Sequence, residues 1–223
     1  PEPRKRPRSS WKSFERARPN ECWQIDASKW QLADNTPVEI IDIIDDHSRL
    51  IVAARAVTGS TTSTDAWATV CHASTRWGLP TTILSDNGTP FTAALFTSNM
   101  HACGINTINS RPYHPQTCGK IERFHQTLKK WLRLQPAAAA TIVEFQTQLD
   151  TFIDIYNHHR PHRGIGRLTP ATRWHATPPA QPAGHTPTTV APTITRGYHV
   201  GANGVIHLRP WRIHIGTTHA GHT

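Results

Sequence analysis

Between Trp23 and Val57 short apolar runs alternate with polar turns, and no run is long enough for an ordinary helix. Residues 23–26 (WQID), 38–45 (VEIIDIID) and 50–57 (LIVAARAV) are rich in β-branched or aromatic positions and predict three strands. The connection Asp46-His47-Ser48-Arg49 is turn chemistry, so the three form an antiparallel meander. The pattern then changes. Residues 62–76 predict a helix, capped by Ser63 or Thr64 and stopped by Gly78 and Pro80. Residues 81–84 predict a short buried strand that exits into Ser85-Asp86-Asn87-Gly88. A helix over 91–102 and a strand over 105–108 follow. Next come long helices over 119–134 and 141–157. In the first of these, Ile121, Phe124, Leu128, Trp131 and Leu132 recur at helical spacing as a buried stripe. Strands followed by alternating helices and strands predict an α/β domain with a mixed sheet.

The flanks differ in composition. Residues 1–19 hold seven Lys or Arg against two Glu, with several prolines, and predict a basic linker or arm ahead of a core over 20–175. Residues 176–192 are rich in Pro, Ala and Thr and predict a second linker. Over 193–223, residues 194–200 and 205–215 alternate around Gly201-Ala202-Asn203-Gly204, which predicts a hairpin and a small C-terminal β module.

Charge narrows the partners. Lys and Arg number 24 against 15 Asp and Glu, a formal net charge of +9. Such a balance suits a polyanion, since each phosphate neutralised releases counterions. The four cysteines form no CxxC pair, which argues against a disulfide scaffold or zinc ribbon and for a reducing compartment. No apolar run approaches the roughly 20 residues of a membrane span, so no membrane partner is expected. The expected setting is the cytoplasm, in association with the nucleoid. The chain opens on Pro1 rather than Met, which is expected of a piece of a longer protein.

Three acids stand out by position. Asp26 follows Trp23 and Ile25 inside a core strand, where an ionised carboxylate is costly without a cation. Asp86 sits at a strand exit, where α/β sheets hold ligands. Glu122 falls outside the buried stripe of its helix, on a polar face with Gln126, Lys129 and Arg133. An ordinary exposed helix glutamate satisfies that pattern equally, and local physics alone does not make the three acids converge.

The segments WQID, IIDDHSR, ILSDNGTPF, YHPQTCGKIERFHQTLK and YNHHRPHRGIGRLTPATRW occur in this order, with 35 residues between Asp86 and Glu122. Together, over residues 21–174, they closely resemble the catalytic core of bacterial insertion-sequence transposases in the retroviral-integrase (DDE) superfamily. The resemblance implies an RNase H-like core, a five-stranded mixed sheet flanked by helices. It implies that Asp26, Asp86 and Glu122 are the catalytic, metal-binding acids, Asp26 touching both of two ions. The implied cofactor is Mg²⁺, with Mn²⁺ as a substitute, because the donors are hard oxygens. Two ions about 3.5–4 Å apart activate the attacking oxygen and stabilise the leaving one in phosphodiester transfer. The implied partners are double-stranded transposon-end and target DNA and further copies of the chain in a homo-oligomer, with an end-reading helix-turn-helix region upstream of Pro1.

Other residues carry two readings each. His114 and Gln116, beside Tyr113, are candidates for DNA contact or for a loop that positions the helix. Lys120, Arg123, Lys129 and Arg133 are candidates for phosphate contact or ordinary solvated cations. Asn87-Gly88 is expected to turn with positive φ behind Asp86. Asp45, Asp46 and Arg49 predict turn capping and a local ion pair. Asp42 alternates with Ile40 and Ile44, and nothing in the sequence says what pairs it. His158, His159 and His162 are broken by Pro161 and lack cysteine partners, which disfavours zinc. Tyr198, Arg209, Trp211 and Arg212 suit either a nucleic-acid surface or a small hairpin core.

Overall fold

The computed structural model describes residues 15–110, 119–183, 202, 205–208 and 211–214. Strands β1 (Trp23–Gln31), β2 (Pro37–Asp45) and β3 (Ile51–Thr58) form the expected antiparallel meander. After α1 (Ser63–Trp77) comes β4 (Thr82–Ser85). Helices α2 (Thr89–Thr92) and α3 (Ala94–Ala102) then lead into β5 (Asn106–Asn109). β4 pairs parallel to β1 and β5 parallel to β4, giving a five-stranded mixed sheet in the order β3-β2-β1-β4-β5. Helices α4 (Gly119–Leu132), α5 (Ile142–Asp154) and α6 (Pro170–His175) complete the core. Among the described residues no helix is long and apolar enough to cross a membrane.

Strand alternation sorts the core into two layers. Ile41 and Ile43 of β2 join Trp23, Ile25, Val70, Ile83, Phe96 and Met100 on the α1/α3 side. Val38, Ile40 and Ile44 join Phe124, Leu128, Phe145, Leu149 and Phe152 on the α4/α5 side. β2 is buried on both faces, which is why its run is almost continuously apolar rather than alternating. The α4 stripe buries Ile121, Phe124, Leu128 and Leu132, while Trp131 is only half-buried.

The structure differs from the expected pattern at several points. β1 runs to Gln31, five residues past Asp26, because its polar half still pairs with β2. α1 is capped by Thr62, whose hydroxyl accepts from Asp65 N while the Asp65 carboxylate accepts from Thr62 N, a reciprocal cap that outcompetes Ser63 and Thr64. The helix expected over 91–102 is broken at Ala93, whose ψ is 143°. α5 gives way at Ile155 to a π-helical turn, Ile155–His159.

The linker expected over 1–19 does not reach residue 19, since Glu15 to Pro19 already pack on the core. The same holds at the other end. Ala180 N donates to Pro19 O, and Arg18 donates to the carbonyls of Pro178 and Pro179, so residues 176–183 belong to the core. The C-terminal segment is a separate compact unit. Its strands β6 (Val205–Leu208) and β7 (Trp211–His214) pair antiparallel with Leu208 opposite Trp211. A hairpin therefore joins these two strands within the segment expected to be one strand over 205–215, while the strand expected over 194–200 and most of the turn expected at 201–204 lie outside the described residues.

Candidate active site and nucleic-acid surface

Pairing places two of the three acids. Trp23 and Gln24 of β1 lie beside Ile83 and Leu84 of β4 in parallel register. Two steps on, Asp86 leaves the end of β4 at the level of Asp26, and neighbouring strands lie about 4.8 Å apart. Glu122 lies in the first turn of α4, whose buried stripe sets the helix across β1 and β2. Asp86 and Glu122 are exposed, and the Asp26 side chain keeps 28% of its surface.

Burial pushes the Asp26 carboxyl above the usual range. The charges of Asp86 and Glu122 push it the same way, while His125 and the Ala27 N–H pull against them. The three acids therefore share one electrostatic neighbourhood. They are not drawn in around a point: among the described residues no group of three His, Cys, Asp or Glu is close enough to hold an ion.

The donor set nevertheless fits a hard divalent cation. The carboxylates come from three elements and repel one another, and Glu122 has no hydrogen-bond or ion-pair partner among the described residues. Asp86 is held through Oδ1, which accepts from Gly88 N at 2.8 Å. Gly88 does this at φ −59°, and Asn87 is not at positive φ either, so the turn differs from the expected one. An added Cβ at 88 would lie 2.8 Å from Asp86 Oδ1, so any other residue there would displace that carboxylate.

Behind Asp26 lies a pair that sequence reasoning left unassigned. Asp42 faces Asp26 across β1 and β2 and is fully buried. His125, one turn after Glu122, places Nε2 2.9 Å from Asp42 Oδ2 and Nδ1 3.7 Å from Asp26 Oδ2. The contact with Asp42 is short but not well aligned as a hydrogen bond, and it is an ion pair when the ring is protonated. Burial disfavours the imidazolium, but Asp42 and then Asp26 outweigh it and raise the ring's pKa; burial raises that of Asp42. A signal did exist in the sequence: a buried acid aimed at α4 needs a cation there, and His125 lies at the right turn.

The cations divide. Lys120 is not a free phosphate contact: its Nζ sits 2.5 Å from Asp46 Oδ1 with its side chain 17% exposed. Asp46 also accepts from Gln24 Nε2 and Arg16 N. Asp45 caps the turn through Ser48, as expected, but Arg49 reaches beyond its turn to Glu15 as well as to the Asp46 carbonyl. Arg123 is exposed on α4. Lys129 and Arg133 line a groove of about 700 Å³ together with Lys29 and Trp30 of β1, which sequence reasoning passed over. These three cations make no ion pair among the described residues. His114 and Gln116 lie outside the described residues. Cys22, Cys71 and Cys103 are free thiols, and burial pushes Cys22 up to about 12.

Two family models, both described as Integrase core domain, match this chain, one over residues 16–115 and the other over 103–170. The Gag-Pro-Pol polyprotein of squirrel monkey retrovirus is 32% identical over 117 residues, which are 51% of this chain and 6% of the polyprotein. A chain of the simian T-cell lymphotropic virus intasome, solved with PP2A regulatory subunit B56 gamma, superposes with a TM-score of 0.64 at 23% identity, covering 83% of this chain and 63% of that one. The HTLV-2 integrase catalytic core domain in complex with magnesium gives 0.56 at 18% identity, covering 71% of this chain and 99% of that one. The core therefore has the RNase H-like fold expected of it.

Proposed function

We propose that this chain, whose residues 16–115 and 103–170 match two models described as Integrase core domain, is the catalytic core of a DNA transposase of the insertion-sequence kind. Its reaction is hydrolytic nicking at a transposon end, followed by attack of the freed 3′-OH on target DNA. The supporting observation is geometric: the parallel β1–β4 register runs Asp86 out of β4 beside Asp26, and Glu122 lies in the first turn of the helix packed on β1 and β2.

Asp26, Asp86 and Glu122 would hold two Mg²⁺ ions, or Mn²⁺ in their place. When bound, the ions supply Lewis-acid activation of the attacking oxygen and charge stabilisation for the leaving one. The protein's residues do the placing. β1 and β4 bring Asp26 and Asp86 to one level, Gly88 N orients the Asp86 carboxylate, and α4 presents Glu122. The Lys29, Lys129 and Arg133 groove receives phosphates of the duplex next to the scissile bond, and Arg123 offers a further contact. DNA ends must be paired for joining, so the working form is a homo-oligomer acting on chromosomal DNA in the cytoplasm.

The test is incubation with labelled element-end DNA and Mg²⁺. Nicked and joined products that vanish in Asp86→Asn and Glu122→Gln support the proposal. Joined products that survive those substitutions sink the triad. Nicking without joining would make the chain a nuclease, and binding without chemistry a silent DNA-binding module.

A further inference from the structure

We infer that Asp42 and His125 form a positioning device for Asp26, in which Asp42 fixes the imidazole from inside the core and the ring sets where the Asp26 carboxylate points. The inference rests on the metal-binding role proposed for Asp26.

The register requires the neighbourhood. Asp26 and Asp42 are directly opposed on antiparallel strands, so their side chains leave the same face of the sheet. That face is covered by α4, with Ile40 and Ile44 flanking Asp42. An acid with no exposed surface is a costly occupant of such a position. An aliphatic side chain of similar size serves packing at least as well. Stability therefore gives no reason for Asp42, and the reason lies in what it touches.

It touches one cationic group. Among the described residues His125 Nε2 is 2.9 Å from Asp42 Oδ2, and neither Asp42 oxygen has a well-aligned hydrogen bond. The ring is 12% exposed, and its second nitrogen faces Asp26 Oδ2 at 3.7 Å. Asp26 Oδ1 is occupied separately by Ala27 N at 2.8 Å. Each Asp26 oxygen is thus addressed from a fixed direction, one by backbone and one by a ring that Asp42 anchors. His125 also lies three residues after Glu122, so the contact ties the helix bearing one acid to the strand bearing another. Outer partners of this sort orient metal ligands, and losing one typically costs about 10- to 100-fold in metal affinity or activity.

The experiment titrates Mn²⁺ calorimetrically into the full chain without DNA, alongside urea unfolding and the metal dependence of end nicking. Asp42→Leu is the decisive variant. It is expected to unfold at the same or a higher urea concentration while binding Mn²⁺ about 10-fold or more weakly. His125→Ala is expected to weaken Mn²⁺ binding similarly, with the metal concentration for half-maximal nicking rising more than the saturated rate falls. His125→Gln, which keeps a donor, recovers part of the loss. Variants that bind Mn²⁺ as the wild type does, or more tightly, overturn the device. A wild-type chain that binds no Mn²⁺ overturns the metal-binding reading and this inference with it. Binding and nicking in the wild type with unchanged variants overturn this inference alone.

Discussion

Asn157 bonds both main-chain groups of one residue, Ile51: its Oδ1 accepts from Ile51 N and its Nδ2 donates to Ile51 O, each at 2.9 Å. Ile51 opens β3, the edge strand, where unpaired backbone groups would otherwise offer a template for another chain. Gln146 bridges two residues further along, accepting from Ala56 N and donating to Ala54 O. Both amides come from the segment that follows α4, so α5 and its π-helical turn seal the sheet edge. Asn157→Ala leaves two buried backbone groups without partners, at an expected cost of about 2 kcal/mol. Urea unfolding should show the midpoint falling with an unchanged slope. An unchanged midpoint would mean that water reaches the edge and replaces the amide.

Gly88 offers a test at the site rather than in the scaffold. A Cβ there would lie 2.8 Å from Asp86 Oδ1, the atom that accepts from Gly88 N. Gly88 has an ordinary φ of −59°, so alanine brings no backbone strain of its own. Gly88→Ala should therefore leave unfolding within about 0.5 kcal/mol of wild type. Because the Asp86 carboxylate must move, end nicking should fall by about 10-fold or more. Equal nicking by both proteins would show that the Asp86–Gly88 contact does not set the carboxylate.

Much of the fold could be read from periodicity because the buried strands and the α4 stripe are dictated by which face each residue can bury. Ile40, Ile41, Ile43 and Ile44 read as a strand because they are β-branched, and the structure then shows the two pairs buried in separate layers on its two faces. What could not be read is pairing that is distant in sequence. Asn20 shows why: at φ 63° it accepts from Trp23 Nε1, donates to the Trp77 carbonyl and gives its N–H to Asp45, locking the start of β1. Nothing local distinguishes it from a linker asparagine. Asp26 and Asp86 were locatable at a strand and a strand exit, but their common level depends on the β1–β4 register. Lys120 looked like its neighbour Arg123 because helix periodicity does not reveal that Asp46 waits beneath it.

The groove beside α4 makes the binding proposal quantitative. Lys129 and Arg133 are one turn apart, about 6 Å along the helix axis. Lys29 lines the same groove, and Trp30 adds an aromatic side chain to it. If this groove holds duplex phosphates, each alanine substitution at Lys29, Lys129 or Arg133 removes one contact and reduces the slope of log K against log salt by about 0.9. Anisotropy titrations with element-end duplex over a range of salt concentrations measure that slope. Lys120→Ala should change it less, because its ammonium is engaged by Asp46. An unaltered slope in the triple variant would place the phosphates elsewhere.

His162 sets the last expectation, in pH. Burial lowers its pKa, the guanidinium groups of Arg160 and Arg49 lower it further, and it falls to about 4. Arg160 lies 2.9 Å from the ring's Nε2, and Tyr156 meets the ring edge-on at 4.5 Å between centroids. In the unfolded chain the ring takes its proton near about 6.5. Between those two values the unfolded state binds more protons, so stability falls as pH drops from about 6.5 toward about 4. Above that window His162 contributes no slope. Asp26, Asp42, Asp45 and His125 carry raised pKa values and shift stability in the opposite sense, so only the difference between wild type and variant isolates His162. His162→Phe keeps a ring against Tyr156 and removes the titration. Urea midpoints taken across the window should fall less steeply for His162→Phe than for wild type, with parallel curves above it. Curves that stay parallel throughout would show that Arg160 and Arg49 move away when the ring is charged.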